Sequence, residues 1–141
     1  MRVVFLFFLS LLFLSSLFAS EDEWEELIIK KMIMGVAQSK VVTLYTKDAT
    51  LQKEFKRNSL IHMTDDCKKS DFVLIRDSSF LKTCKKPAIV FDYYSYLHNP
   101  NAIGVFFWQK GRPTIRFSKK RLEHFGLQLN GELSKFVSSK D

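Results

Sequence analysis

The chain is 141 residues long and carries 22 Lys and Arg residues against 15 Asp and Glu residues, a formal net charge of +7. This length suits a single domain with enough chain to bury a hydrophobic core. The cations lie in pairs and short runs, a pattern typical of a solvated surface rather than of a nucleic-acid-binding protein. A surface that attracts an acidic partner or anionic headgroups is the alternative.

The first twenty residues have the composition of a targeting segment. Arg2 supplies a positive charge, residues 3–17 are almost uninterruptedly apolar, and Ala19 offers a cleavage site. The apolar run is shorter than a bilayer-spanning helix needs and an acidic segment follows it, so a cleaved signal peptide over residues 1–19 is favoured over a retained anchor. We therefore expect export from the cytoplasm. The Lys-rich and Phe-rich composition suits a bacterial periplasmic protein, with residues 20–141 as one domain.

Residues 21–38 predict a helix. Acidic residues occupy its first turn, where the helix dipole favours them, and apolar residues recur at helical spacing. The predicted stripe, which would pack on a sheet, consists of Trp24, Leu27, Ile28 and Met32.

Four segments rich in β-branched and aromatic residues predict strands, at residues 41–46, 59–63, 71–76 and 87–91. Asp48 would cap a helix that carries Leu51 and Phe55 toward the core. Residues 78–83 would form a short helical crossover, and residues 92–98 would be irregular or briefly helical. Strands that alternate with helical segments are typical of a largely parallel sheet with helices on its faces.

A strand hairpin is predicted next. Residues 105–108 are apolar on both faces, as in a buried strand. Gly111 can take a positive φ and Pro113 has no N–H to donate, so these residues mark a turn into a more exposed strand at residues 114–117. The hairpin would add an antiparallel edge to the sheet.

Two short helices complete the predicted chain. Ser118 would cap the first, with Leu122 and Phe125 on one face and Gly126 ending it in the left-handed conformation. Asn130 would start the second, whose buried residues would be Leu133, Phe136 and Val137. The predicted fold class is α/β: a single-domain sandwich of a mixed, mostly parallel sheet with helices on its faces and a C-terminal β-hairpin followed by two short helices.

Cys67 and Cys84 are the only cysteines, and an even count in an oxidising compartment predicts a disulfide. Each cysteine stands a few residues before a predicted strand, so both enter from the same end of the sheet if those strands are parallel neighbours. Adjacent strands are about 4.8 Å apart and a disulfide needs Cα atoms about 5.5 Å apart. A redox-catalytic pair is the alternative, but the chain has no C-x-x-C motif to lower a thiol pKa.

The sequence indicates no catalytic, metal or cofactor site. His62, His98 and His124 are scattered, without a second ligand at metal-binding spacing. Asp65 and Asp66 lie between a strand and a cysteine, where a capped turn is favoured over an acid and base pair. We therefore expect a protein that is not an enzyme and holds neither metal nor cofactor.

Tyr93, Tyr94 and Tyr96 form an aromatic cluster beside a His-Asn-Pro-Asn loop. Exposed amphipathic rings are enriched in protein interfaces, so the cluster is a candidate contact surface. Ordinary half-buried packing is the alternative.

Three features of residues 41–137 follow the pattern of a known family. A cysteine, Cys67, precedes a hydrophobic strand; a glycine-led hairpin runs from Gly104 to Phe117; and a helix followed by Gly126, a Leu-x-Leu pair and an amphipathic segment ends the chain. In these features the chain resembles the YfiR-like family of bacterial periplasmic proteins.

The resemblance implies a non-enzymatic regulatory protein, often dimeric, that restrains an inner-membrane signalling protein such as a diguanylate cyclase by binding its periplasmic domain. It thus implies an envelope or inner-membrane partner, a homodimer, and membrane contact only through the partner, with no nucleic acid. We expect Lys119, Lys120 and Arg121 to lie at the rim of the tyrosine surface. The alternatives are a periplasmic small-ligand-binding domain and a structural accessory of a secretion or flagellar machine.

Overall fold

The computed structural model describes residues 21–38, 40–76, 79, 82–129 and 131–140. The predicted signal peptide and half of the predicted crossover at 78–83 lie outside these residues. The described helices and strands, in chain order, are α1 (Glu21–Ala37), β1 (Val42–Thr46), α2 (Ala49–Phe55), β2 (Ile61–Thr64), a 3-10 turn (Cys67–Lys69), β3 (Phe72–Ile75), β4 (Ala88–Val90), α3 (Tyr93–His98), β5 (Ala102–Gln109), β6 (Arg112–Ser118), α4 (Lys119–His124), a second 3-10 turn (Ser134–Phe136) and β7 (Val137–Ser138).

The strands form one seven-stranded sheet in the order β2-β1-β3-β4-β5-β6-β7. Strands β1 to β5 are mutually parallel, β5 and β6 form an antiparallel hairpin, and β7 runs parallel to β6. Helices cover both faces of this sheet. The predicted α/β fold class, with its mostly parallel mixed sheet and C-terminal hairpin, is confirmed.

Helix α1 forms as predicted, and of its predicted stripe Met32 is buried and Ile28 packs against the core, whereas Trp24 and Leu27 do not face the sheet. Trp24 and Leu27 are 51% and 54% exposed. At about 100° per residue, they lie about 140° and 160° around the helix from Ile29, which is on the buried side. The stripe that packs on the sheet consists of Ile29, Met32, Ile33 and Val36.

The two faces of the sheet carry separate cores, because successive residues of a strand point in opposite directions. On β3, Leu74 packs in the core under α1, α2 and α4, whereas Val73 packs in the core under α3. Helix α2 contributes Leu51 and Phe55 to the first core, and Asp48 caps this helix by accepting a hydrogen bond from the Leu51 backbone N–H, as predicted.

The hairpin turn lies at Lys110 and Gly111, whose φ angles of 51° and 74° are both positive. Two-residue turns of this kind have a backbone twist that matches the twist of the strands they join. Pro113 lies in the part of β6 that β7 does not pair, so its missing N–H costs no ladder bond. On β5, Gly104 lies opposite Phe117, and a Cβ added at Gly104 would come 2.8 Å from the Phe117 ring.

The end of the chain differs from the prediction. Helix α4 is capped by Ser118 and followed by Gly126 with a φ of 66°, as predicted. The second predicted helix is a single 3-10 turn, and Asn130 lies outside the described residues. Val137, predicted to be helical, instead pairs with Phe117 as strand β7. The open edge of β6 provides hydrogen-bond partners for the backbone of Val137, which a one-turn helix would not provide.

Cys67 and Cys84 form a disulfide with a Cα–Cα distance of 6.2 Å. Strands β3 and β4 are parallel neighbours, with Val73 beside Ala88, so the cysteines that precede them meet at one end of the sheet. The predicted pairing is confirmed. Within the described part of the chain, no helix is long and apolar enough to span a bilayer.

Candidate functional site

Helix α3 presents aromatic rings to both the core and the solvent. Asp92 caps it, accepting hydrogen bonds from the Ser95 backbone N–H at 2.7 Å and from the Ser95 hydroxyl at 2.6 Å. Tyr96 is 1% exposed and packs in the second core, whereas Tyr93 and Tyr94 are 38% and 70% exposed. The prediction of a tyrosine interface therefore fails for Tyr96, which faces the sheet and is out of reach of a partner.

The exposed side of α3 is one continuous apolar and aromatic cluster. Leu97 is 49% exposed and lies one turn after Tyr93 and Tyr94. The His98 ring stacks on the Tyr94 ring with centroids 4.0 Å apart, and His98 Nδ1 lies 2.9 Å from the Tyr94 carbonyl oxygen. We call Tyr93, Tyr94, Leu97 and His98 the α3 surface. Its side chains are partly pre-ordered by contacts within the cluster.

Strands β5 and β6 hold one edge of the α3 surface in place. Arg116 Nη1 donates a hydrogen bond of 2.8 Å to the Tyr93 hydroxyl, and its guanidinium lies 5.3 Å from the Tyr93 ring centroid. The Tyr93 ring also lies 5.7 Å from the Phe107 ring. The ring of Tyr93 is thus fixed against the hairpin, which lowers the entropy that a binding partner would have to remove.

Arg121, predicted at the rim of an interface, also has a structural role. Its Nη1 donates to the carbonyl oxygens of Tyr96 at 2.5 Å and Ala102 at 2.8 Å. Its guanidinium also lies 4.9 Å from the Tyr96 ring centroid. Arg121 therefore joins α4 to the end of α3 and the start of β5, because the carbonyl groups that close a helix need donors.

A groove of about 380 Å³ separates the end of α3 from α4. Lys119 and Lys120 are both exposed at the start of α4, and Lys120 lines the groove. Residues 93–122 contain six Lys and Arg residues and no Asp or Glu. Arg116 and Lys120 place positive charge beside the α3 surface, and the carboxylate of Asp92 is used as the cap of α3. The residues that line the groove are Leu97, His98, Pro100, Asn101, Ser118, Lys120, Arg121 and His124.

A second candidate site lies where the chain reverses direction across the sheet. Strand β1 is followed by β2 on one side and β3 on the other, which creates a crevice at the carboxyl ends of β1 and β3. Open parallel sheets bind small ligands at such positions. The crevice has a volume of about 250 Å³ and is lined by Tyr45, Lys47, Asp48, Leu74, Ile75, Arg76 and Ser79.

Arg76 connects this crevice to α1. Its Nε donates to Asp48 Oδ2 at 2.6 Å, its Nη2 donates to Glu25, and its guanidinium lies 4.3 Å from the Phe91 ring centroid. Burial raises the pKa of Asp48, but the hydrogen bonds from the Leu51 backbone and from Arg76 outweigh burial and hold that pKa below its usual value. The guanidinium of Arg76 thus offsets part of the charge of its two carboxylates, and the group keeps an excess of one negative charge.

In the described part of the chain, no group of three or more His, Cys, Asp or Glu residues is arranged to hold a metal ion. His98 belongs to the α3 surface and His124 to the groove, and His62 is exposed on β2 at the far edge of the sheet. The three histidines therefore do not converge on one site.

Sequence reasoning missed two exposed apolar groups. Leu97 was not included in the interface, although its position three residues after Tyr94 would have placed it there once the segment was taken as a helix. The exposed pair Trp24 and Leu27 on α1 was assigned to the core.

The sequence matches no protein-family model and no curated protein. A crystal structure of a conserved domain protein from Vibrio cholerae O1 biovar El Tor is similar to 80% of this chain, with a TM-score of 0.58 and 9% sequence identity. This chain spans 58% of the length of that protein. At such low identity the similarity extends to the fold alone.

Proposed function

We propose that this chain is a non-enzymatic periplasmic regulatory or accessory protein that acts by contact with another envelope protein through the α3 surface. The observation that carries the proposal is the cluster of exposed rings and Leu97 on a helix of only six residues. Large exposed apolar groups that lie together mark interaction sites more often than single ones do.

The chemistry of the α3 surface suits protein recognition. Tyrosine supplies a large contact area with few rotatable bonds and is enriched among the residues that dominate binding energy. Tyr93 is already fixed by Arg116, so little ordering is needed on binding. Lys119 and Lys120 lie beyond the rings, where rim charges speed association more than they increase affinity.

Two further observations support the compartment and the class of function. The Cys67–Cys84 disulfide suits a protein exported from the cytoplasm, where thiols are kept reduced. The resemblance to the YfiR-like family favours an inner-membrane signalling protein as the partner. A secretion or flagellar machine, served by the same surface, is the alternative partner.

A crosslinked pull-down from the envelope of the cells that make the protein tests this proposal. The bait is compared with a Tyr94→Ala, Leu97→Ala double variant and with a control, Val41→Ala, Leu60→Ala, which removes two exposed apolar side chains near the β2 edge. We expect the wild type and the control to recover one partner and the α3 variant to lose it. Equal recovery by all three proteins would refute the assignment of the surface.

The same pull-down distinguishes the kinds of partner. Recovery of one signalling protein that is lost on reduction supports a redox-sensitive regulator, whereas recovery of a large assembly supports a structural accessory. Loss of the partner at high salt would show that the lysine rim contributes, because surface charges are screened beyond about 10 Å at 0.1 M salt.

The crevice at the carboxyl ends of β1 and β3 supports a second candidate, a small-ligand-binding domain. Its lining combines apolar side chains with a few charged groups, as ligand pockets do. Screening small metabolites by thermal unfolding tests this candidate. A ligand that raises Tm for the wild type but not for Lys47→Trp, which places a bulky ring at the exposed side of the crevice, supports it, provided that the variant keeps the wild-type circular dichroism spectrum.

A further inference from the structure

We propose that two surfaces of this chain bind each other between copies: the acidic start of α1 on one copy docks on the α3 surface and the adjoining groove of the next. This inference uses the surface of the proposed function, and it would make self-association compete with partner binding.

The start of α1 has the composition that such a contact needs. Residues 21–26 are acidic apart from Trp24. Glu25 is paired with Arg76, whereas Glu23 and Glu26 lie near Glu54 in an acidic group. The first cations along the helix are Lys30 and Lys31. Trp24 and Leu27 are about half exposed and lie one turn apart, beside the exposed Glu23. We call Glu23, Trp24 and Leu27 the α1 patch. It combines apolar anchors with negative charge.

The surface around α3 has the opposite charge and the same apolar character. Tyr94 and Leu97 are exposed anchors, and Lys120 lines the groove beside them. Residues 93–122 carry six cations and no carboxylate, and the acidic residues Asp92 and Glu123 flank them, so the region keeps an excess of positive charge. Attraction between opposite charges would orient the two copies, and contact between the apolar anchors would supply the affinity.

The two surfaces cannot meet within one molecule. The buried side of α1 packs on the face of the sheet that carries Leu74, and α3 packs on the face that carries Val73. The contact must therefore join different copies, and it joins unlike surfaces. Such a head-to-tail contact leaves one α1 patch and one α3 surface open at the two ends, so it produces rings or chains rather than a closed symmetric pair.

The contact would be weak and sensitive to salt. Each surface contains only two or three large apolar side chains, fewer than a stable interface of standard size provides. Since each anchor then carries a large share of the binding energy, removal of either Trp24 or Tyr94 should weaken self-association roughly 10-fold or more. Raising the salt concentration should weaken it further.

Sedimentation velocity of the mature protein tests the inference, at low salt and over a concentration range of about 10 to 500 µM suited to weak contacts. Trp24→Ala and Tyr94→Ala are measured alone and as an equimolar mixture, with Leu60→Ala as the control. Each variant must first show the wild-type circular dichroism spectrum, which separates a lost contact from a lost fold.

We expect the wild type and the control to form dimers and larger species, and each single variant to remain monomeric. The mixture should form heterodimers and no larger species, because one intact α1 patch then meets one intact α3 surface. A wild type that stays monomeric throughout, or a mixture that does not pair when the wild type does, would overturn the inference. Neither result bears on the pull-down of a different partner, so the two proposals fail separately.

Discussion

Arg121 should determine how firmly α3 is held, although it lies at the edge of the exposed cluster. The change to test is Arg121→Ala, which removes the donors to the carbonyl oxygens of Tyr96 and Ala102 and the contact with the Tyr96 ring. The two accepting residues are buried, and Arg121 lines the adjoining groove, so its removal replaces a charged donor with, at most, groove water.

The expected loss follows from these contacts. A hydrogen bond to a charged group contributes about 1.5–3 kcal/mol to stability, and the contact with the aromatic ring adds about 0.5–1 kcal/mol. The two carbonyl groups share one donor nitrogen, so their contributions are not additive. We expect the free energy of unfolding to fall by about 2–3 kcal/mol, which corresponds to a decrease in Tm of roughly 6–12 °C for a domain of this size.

Thermal unfolding followed by circular dichroism provides the assay. The matched control is Lys120→Ala, which removes a neighbouring exposed cation and should change stability by less than about 0.5 kcal/mol. Hydrogen exchange should show faster exchange of the α3 amides in Arg121→Ala than in the control. Equal Tm values for the two variants would refute the reasoning.

Three further predictions concern packing, charge and covalent structure. Gly104→Ala should lower stability by about 1–3 kcal/mol in urea unfolding, because its Cβ meets the buried Phe117 ring; a change below about 0.5 kcal/mol would contradict this packing. Glu54→Gln should stabilise the protein at pH 7 but not at pH 3. The hydrogen bond with Glu54 and, after it, burial raise the pKa of Glu26. The interaction of Glu26 with Glu54 therefore stabilises the fold at pH values below the usual pKa of a glutamate, and this stability is lost as the pH rises through the raised pKa of Glu26. Equal gains at both pH values would exclude this coupling. Reduction of the disulfide, which spans 17 residues, should cost about 3 kcal/mol, and an unchanged Tm in reductant would contradict it.

The sheet and most of its helices could be predicted because their signals are local. β-branched runs marked the strands, and Asp48 and Ser118 marked helix starts that the structure confirms through their capping bonds. The buried face of α1 could not be predicted from periodicity. Residues 27–29 and 32–34 include apolar runs on several sides of the helix, so two stripes were available and packing against the sheet selected the one centred on Ile29 and Met32.

The candidate site could be predicted in part. The tyrosine cluster indicated an interface, and helical spacing alone would have separated Tyr96 from Tyr94, because residues two apart lie about 200° around a helix. The role of Arg121 depends on a contact between α4 and α3 across the sheet, which no local pattern encodes. The end of the chain was predicted wrongly for a similar reason, since β7 exists only because the edge of β6 is open.

Site-specific photocrosslinking in the cells that make the protein tests the central claim most directly. A photoreactive amino acid replaces Tyr94 in one protein and Leu60, exposed near the opposite edge of the sheet, in another. We predict that the probe at 94 crosslinks to one envelope protein and that the probe at 60 does not. Crosslinks to the same protein from position 60 alone, or none from position 94, would contradict the assignment of the α3 surface as the site of contact.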